Sequence, residues 1–93
     1  MADEVIIEEY QVFEWNQQIP SKPTKTTVAD IATAVTLLAT TKYINIQARE
    51  AAFWFIFGAS ATAETDNNMF LPADQNRFFK VNGGEVIDTA ANA

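Results

Sequence analysis

The chain holds no histidine and no cysteine, so its polar chemistry falls to carboxylates, amides and hydroxyls. The commonest general base, the thiol nucleophile and the imidazole and thiolate metal ligands are therefore missing. Two carboxylate pairs stand close enough in sequence for acid–base work, Glu64 with Asp66 and Glu85 with Asp88. Both lie in or beside turns, where a solvated carboxylate is the ordinary expectation. The run Glu64-Thr65-Asp66-Asn67-Asn68 is rich in oxygen ligands but lacks the spacing, glycine and terminal glutamate of an EF-hand calcium loop. Gly83-Gly84 precedes neither a helix start nor a lysine, so it does not form a phosphate loop. No cofactor or metal is expected, and no enzyme. Trp15, Tyr43 and Trp54 are platforms on which a sugar can stack, although core or interface packing is the commoner use of such rings.

The elements that position these residues read as short strands. Ala51-Ala52-Phe53-Trp54-Phe55-Ile56-Phe57 is apolar throughout and closes on Gly58. Strand alternation sets Phe53, Phe55 and Phe57 on one face, and Ala52, Trp54 and Ile56 on the other. Small antiparallel sheets usually wet one face, so a strand greasy on both needs cover on both. Tyr43 to Ala48 alternates, with Ile44, Ile46 and Ala48 inward, and Arg49-Glu50 reads as a turn joining it to 51–57 in a central hairpin. Arg77–Val81 and Glu85–Ala90 flank Asn82-Gly83-Gly84, a second hairpin signal. Met69-Phe70-Leu71 is stopped by Pro72, which suits a strand end or an edge. Val28–Ala32 and Ala34–Ala39 read as two strands, their threonines weighing against the competing helix.

Residues 1–15 carry five of the twelve acids, Asp3, Glu4, Glu8, Glu9 and Glu14, interleaved with Val5, Ile6, Ile7, Tyr10, Val12, Phe13 and Trp15. This segment reads equally as an edge strand or arm that docks on a neighbour and as a solvated first strand or short helix of the same domain. Residues 16–27 are polar, contain Pro20 and Pro23, and read as a connector. The expected organisation is an N-terminal arm and connector over 1–25 and an all-β domain over 26–93. Six to eight short strands suit a small antiparallel β-sandwich or a jelly-roll-like barrel with an N-terminal extension.

Composition narrows the partners. The chain has 93 residues, 48% apolar and 19% charged, with 12% aromatic, enough for one small core. Twelve acids against six bases give a formal charge of −6, and no basic stripe serves a nucleic acid. The N-terminus lacks a basic, then apolar, secretory pattern, and a seven-residue apolar run is too short for a membrane helix. The expectation is a protein made in the cytoplasm, with no membrane partner. With no disulfide to staple so small a core, oligomerisation is a usual remedy.

From about Val35 onward the order of segments resembles small β-sandwich virion proteins of tailed bacteriophages. The likeness rests on Tyr43-Ile44-Asn45-Ile46, Phe53-Trp54-Phe55-Ile56-Phe57-Gly58 and Ala61-Thr62-Ala63. It continues through Phe70-Leu71-Pro72-Ala73, Phe78-Phe79-Lys80-Val81 and Glu85-Val86-Ile87. The resemblance implies a virion location and a structural role, above all capsid decoration or cementing of the phage head. The major capsid protein or another virion protein would be the partner, and a homo-oligomer, favoured as a trimer, the acting form. Expected interface residues are Phe53, Trp54, Phe55 and Phe57 in the domain, with Tyr10, Phe13 and Trp15 in the arm. The alternative is a carbohydrate- or receptor-binding module of a fibre or baseplate.

Overall fold

The computed structural model describes residues 4–11, 23–63 and 68–92. Among these residues eight strands run in chain order: β1 Glu4–Tyr10, β2 Lys25–Asp30, β3 Val35–Thr36, β4 Tyr43–Arg49, β5 Phe53–Gly58, β6 Met69–Leu71, β7 Asn76–Lys80 and β8 Val86–Ala91. They form two antiparallel four-stranded sheets, sheet A in the order β2-β1-β4-β7 and sheet B in the order β3-β8-β5-β6. The all-β sandwich expected from the strand pattern is the observed fold.

Alternation explains the layering. Val5 and Ile7 of β1 with Ile44, Ile46 and Ala48 of β4 present one apolar face, and Phe53, Phe55, Leu71 and Ile87 of sheet B oppose it. All nine are at most 3% exposed. Phe53 and Phe55 meet edge-on at 6.0 Å, and Phe79 of sheet A reaches Phe55 at 5.7 Å and Phe57 at 5.3 Å. Burying each such side chain contributes about 1.5–3 kcal/mol, which makes this double layer the source of the fold's stability.

The described part of the N-terminal segment is a strand of the domain and not an arm. Residues 4–10 form an inner strand of sheet A, hydrogen-bonded to β2 on one side and β4 on the other. Glu4 and Glu8 follow the strand period and point outward, Val5 and Ile7 point in, and Glu9 is the buried exception. The division at residue 25 therefore does not separate an arm from a domain.

Neither expected hairpin forms, because both links change sheets. β4 lies in sheet A and β5 in sheet B, so their inward side chains meet across the core instead of pairing along a ladder. Glu50 makes the corner with φ 71°, and its N–H donates to Asp74 Oδ1 at 3.4 Å. The Asn82-Gly83-Gly84 turn likewise carries the chain from β7 in sheet A to β8 in sheet B. Gly83 is required by space: a Cβ there would sit 1.9 Å from the Ala39 carbonyl oxygen. Gly84 supplies φ +81°. Of the two strands expected over 28–39, the first runs Lys25–Asp30 and ends at a turn where Ala32 takes φ 74°, and the second shrinks to Val35–Thr36.

Candidate functional site

The outer face of sheet A mixes polar side chains with exposed Val28 and Phe78, laid out by strand register. One row crosses Val28, Ile6, Gln47 and Asn76, and the next crosses Thr26, Glu8, Asn45 and Phe78. Glu8 Oε1 accepts from Asn45 Nδ2 at 3.0 Å, Tyr10 OH at 3.1 Å and Gln47 Nε2 at 3.3 Å. Asn76 Nδ2 donates to Asn45 Oδ1 at 2.9 Å and extends the network to β7. Burial and the adjoining Glu8 carboxylate push the Tyr10 phenol up to about 12. Tyr10 also packs against Phe78 with ring centroids 6.2 Å apart.

Beside this network opens a cavity of about 480 Å³, lined by Ile6, Gln47, Ala48, Arg49, Asp74, Gln75 and Asn76. Sheet A supplies its floor and the link between β6 and β7 its wall. Arg49 at its mouth pairs with Glu4 at 3.5 Å, largely in solvent, so the pair contributes little to stability.

A second polar feature is internal. Glu9 is fully buried, and its Oε1 accepts from Leu38 N at 2.9 Å and Thr41 Oγ1 at 2.6 Å. It ties β1 to the loop between β3 and β4, and among the described residues no hydrogen-bond partner reaches its other oxygen, Oε2. The same end of the sandwich is closed by Lys42 N on Tyr10 O, Val81 N on Lys42 O and Gly84 N on Leu38 O. With its two contacts on a loop, Glu9 acts as a structural clamp.

The outer face of sheet B carries a half-buried apolar cluster beside Asp88. Trp54 and Phe70 are cross-strand partners with ring centroids 4.8 Å apart, and Ala90 flanks Trp54 on β8. Ile56 shares this face, next to Asp88. Trp54 Nε1 donates to Asn92 Oδ1 at 3.3 Å. Asp88 Oδ2 accepts from Ala63 N at 2.8 Å, which draws the loop after β5 toward this face.

The residues expected at interfaces divide three ways. Phe53 and Phe55 are fully enclosed and belong to the core, and Phe57 is half-buried against Phe79. Trp54 is the one of the four on an outer face. Tyr10 sits in sheet A's outer network, while Phe13 and Trp15 lie outside the described residues, as do Glu64 and Asp66. Glu85 Oε1 accepts from Asn82 N at 2.7 Å, so this carboxylate and Asp88 each hold a turn or loop and do not converge. Among the described residues no group of three carboxylates gathers to hold a metal ion. Sequence reasoning missed the Glu8–Asn45–Gln47–Asn76 network, whose only trace was the polar outward positions of β4 beside an acidic β1. No protein-family model matches the chain, and neither a curated protein nor a solved structure matches it.

Proposed function

We propose that the chain is a non-enzymatic virion structural protein of the capsid decoration or cement type, stabilising a phage head by docking on the major capsid protein. The observation that carries this function is the apolar cluster on the outer face of sheet B. An outer sheet face in a small sandwich is normally polar, yet here the half-buried Trp54, Phe70, Ile56 and Ala90 cluster on it beside a single carboxylate, Asp88. Aromatic anchors of this kind dominate the energy of protein contacts.

The edges of sheet A argue for docking by faces. Register places Lys25 on edge strand β2 and Arg77 on edge strand β7, each on the core side of the sheet, and both remain exposed. Inward-pointing charge at an edge opposes addition of a further strand. A trimer would set three such clusters around a symmetry axis of the shell and multiply weak contacts.

The test is cosedimentation with capsid shells of the phage that encodes the protein, comparing the native chain with Phe70→Ser and Trp54→Ser. Circular dichroism monitors the fold. Saturable binding that weakens at least about thirtyfold in the variants, the scale of losing a 2 kcal/mol hot spot, supports the proposal. Binding that is absent in the native chain, or unchanged in folded variants, contradicts it.

A further inference from the structure

We infer that the cavity on the outer face of sheet A is a binding site for a neutral carbohydrate, separate from the assembly face on sheet B. Three observations converge on that chemistry. First, the lining carries amides from three places, Gln47 on β4, Asn76 on β7 and Gln75 in the link before it. Each amide offers a donor and an acceptor side by side. Vicinal hydroxyls on a sugar ring require that pairing, because every hydroxyl both donates and accepts.

Second, the amides are held in place. Gln47 Nε2 is fixed on Glu8 Oε1, and Asn76 Nδ2 is fixed on Asn45 Oδ1. Both side-chain carbonyl oxygens then remain as acceptors in set positions. Preorganised polar groups of this kind lower the ordering cost of binding. Ile6 forms an apolar patch of the floor, with Val28 beside it across the strand pair and 53% exposed. That patch suits the C–H face of a pyranose.

Third, the charge excludes the obvious rival, an anion. Among the described residues Arg49 is the only cation on the lining, and it is already paired with Glu4, while Asp74 and the nearby Glu8 are acidic. The chain as a whole carries −6, so an anionic ligand meets repulsion on approach. A cavity of about 480 Å³ lies within the range of roughly 300–1,000 Å³ typical of small-molecule sites, ample for a mono- or disaccharide unit.

The experiment is an amide-resolved NMR titration of the full chain with gluco-, galacto- and manno-oligosaccharides, with inorganic phosphate as the anionic arm. The expected dissociation constant is about 0.1–1 mM, a modest affinity of some −4 to −5.5 kcal/mol. Saturable shifts with at least one oligosaccharide should centre on Gln47–Arg49 and Asp74–Asn76. They should weaken tenfold or more in Gln47→Ala and in Asn76→Ala. Phe70→Ser, on the opposite sheet, should titrate like the native chain, which separates this site from the assembly face. The inference is overturned if no sugar in the panel gives saturable shifts, if the shifts map elsewhere, if folded Gln47→Ala and Asn76→Ala both bind as the native chain does, or if phosphate alone binds.

Discussion

Replacing Glu9 by alanine tests how a buried carboxylate holds the end of this sandwich together. Glu9 is fully enclosed and accepts two hydrogen bonds, from Leu38 N at 2.9 Å and Thr41 Oγ1 at 2.6 Å. Leaving a buried donor without its acceptor costs about 1–3 kcal/mol. Alanine leaves both donors without an acceptor, and Thr41 is only 1% exposed, so water does not readily replace the lost partner. The expected loss is about 3–5 kcal/mol for the two donors. A domain of this size is stable by only about 5–14 kcal/mol at ordinary values per residue. Glu9→Gln keeps one acceptor oxygen and should cost less, about 1–2 kcal/mol.

Urea unfolding followed by tryptophan fluorescence is the assay. With a slope near 1 kcal/mol per molar for a small domain, Glu9→Ala should lower the midpoint by about 3 M or more. Thr41→Val completes the cycle. Alone it should cost about 1–2 kcal/mol. In the Glu9→Ala background it should cost almost nothing, because the hydroxyl has already lost its acceptor. A coupling below about 0.5 kcal/mol, the range of independent sites, would refute the clamp.

Three further outcomes are expected. Folding raises the Tyr10 pKa from 10.0 to about 12, so the unfolded chain loses this proton first. Tyr10's contribution to stability is therefore complete below pH 10 and declines as pH rises toward 12; unfolding measured across that interval should show the decline, and Tyr10→Phe should flatten it. Gly83→Ala pushes a Cβ to 1.9 Å from a backbone oxygen, and should cost more than about 3 kcal/mol or prevent folding; a thermal midpoint within a few degrees of the native one would contradict the close approach. Deleting residues 1–10 removes an inner strand of sheet A, so the remainder should give no cooperative unfolding transition, whereas a dispensable arm would leave one intact.

Much of the fold was legible because period-two patterns survive in the strands that build the core. Ile44, Ile46 and Ala48 alternate with polar neighbours, and all three are buried. Phe53 and Phe55 share the inward face that alternation assigns them. Pro72 ends β6 at an edge of sheet B, in keeping with its missing N–H. Sheet membership was harder to read. The local chemistry of Arg49-Glu50 and of Asn82-Gly83-Gly84 specifies a reversal, but a reversal within a sheet and a corner between sheets use the same residues. The Ala39 carbonyl beside Gly83, 44 positions earlier in the chain, marks that link as a corner.

The outer faces were misjudged for a related reason. Five acids in the first fifteen residues looked like a solvated extension, yet Glu8 anchors a network and Glu9 lies in the interior. Only pairing with β4 reveals the amides that receive Glu8. Trp54 was legible as a side chain that needs cover, and Phe70 supplies part of it from the neighbouring strand.

The central proposal is that sheet B's outer face binds a capsid. Its most direct measurement is the amount of protein retained on purified capsid shells as protein is added. Capsid docking predicts saturation at a fixed number of copies per shell, and loss of that retention in folded Trp54→Ser. Retention no greater than that of an unrelated acidic protein, or equal retention of Trp54→Ser, would contradict it.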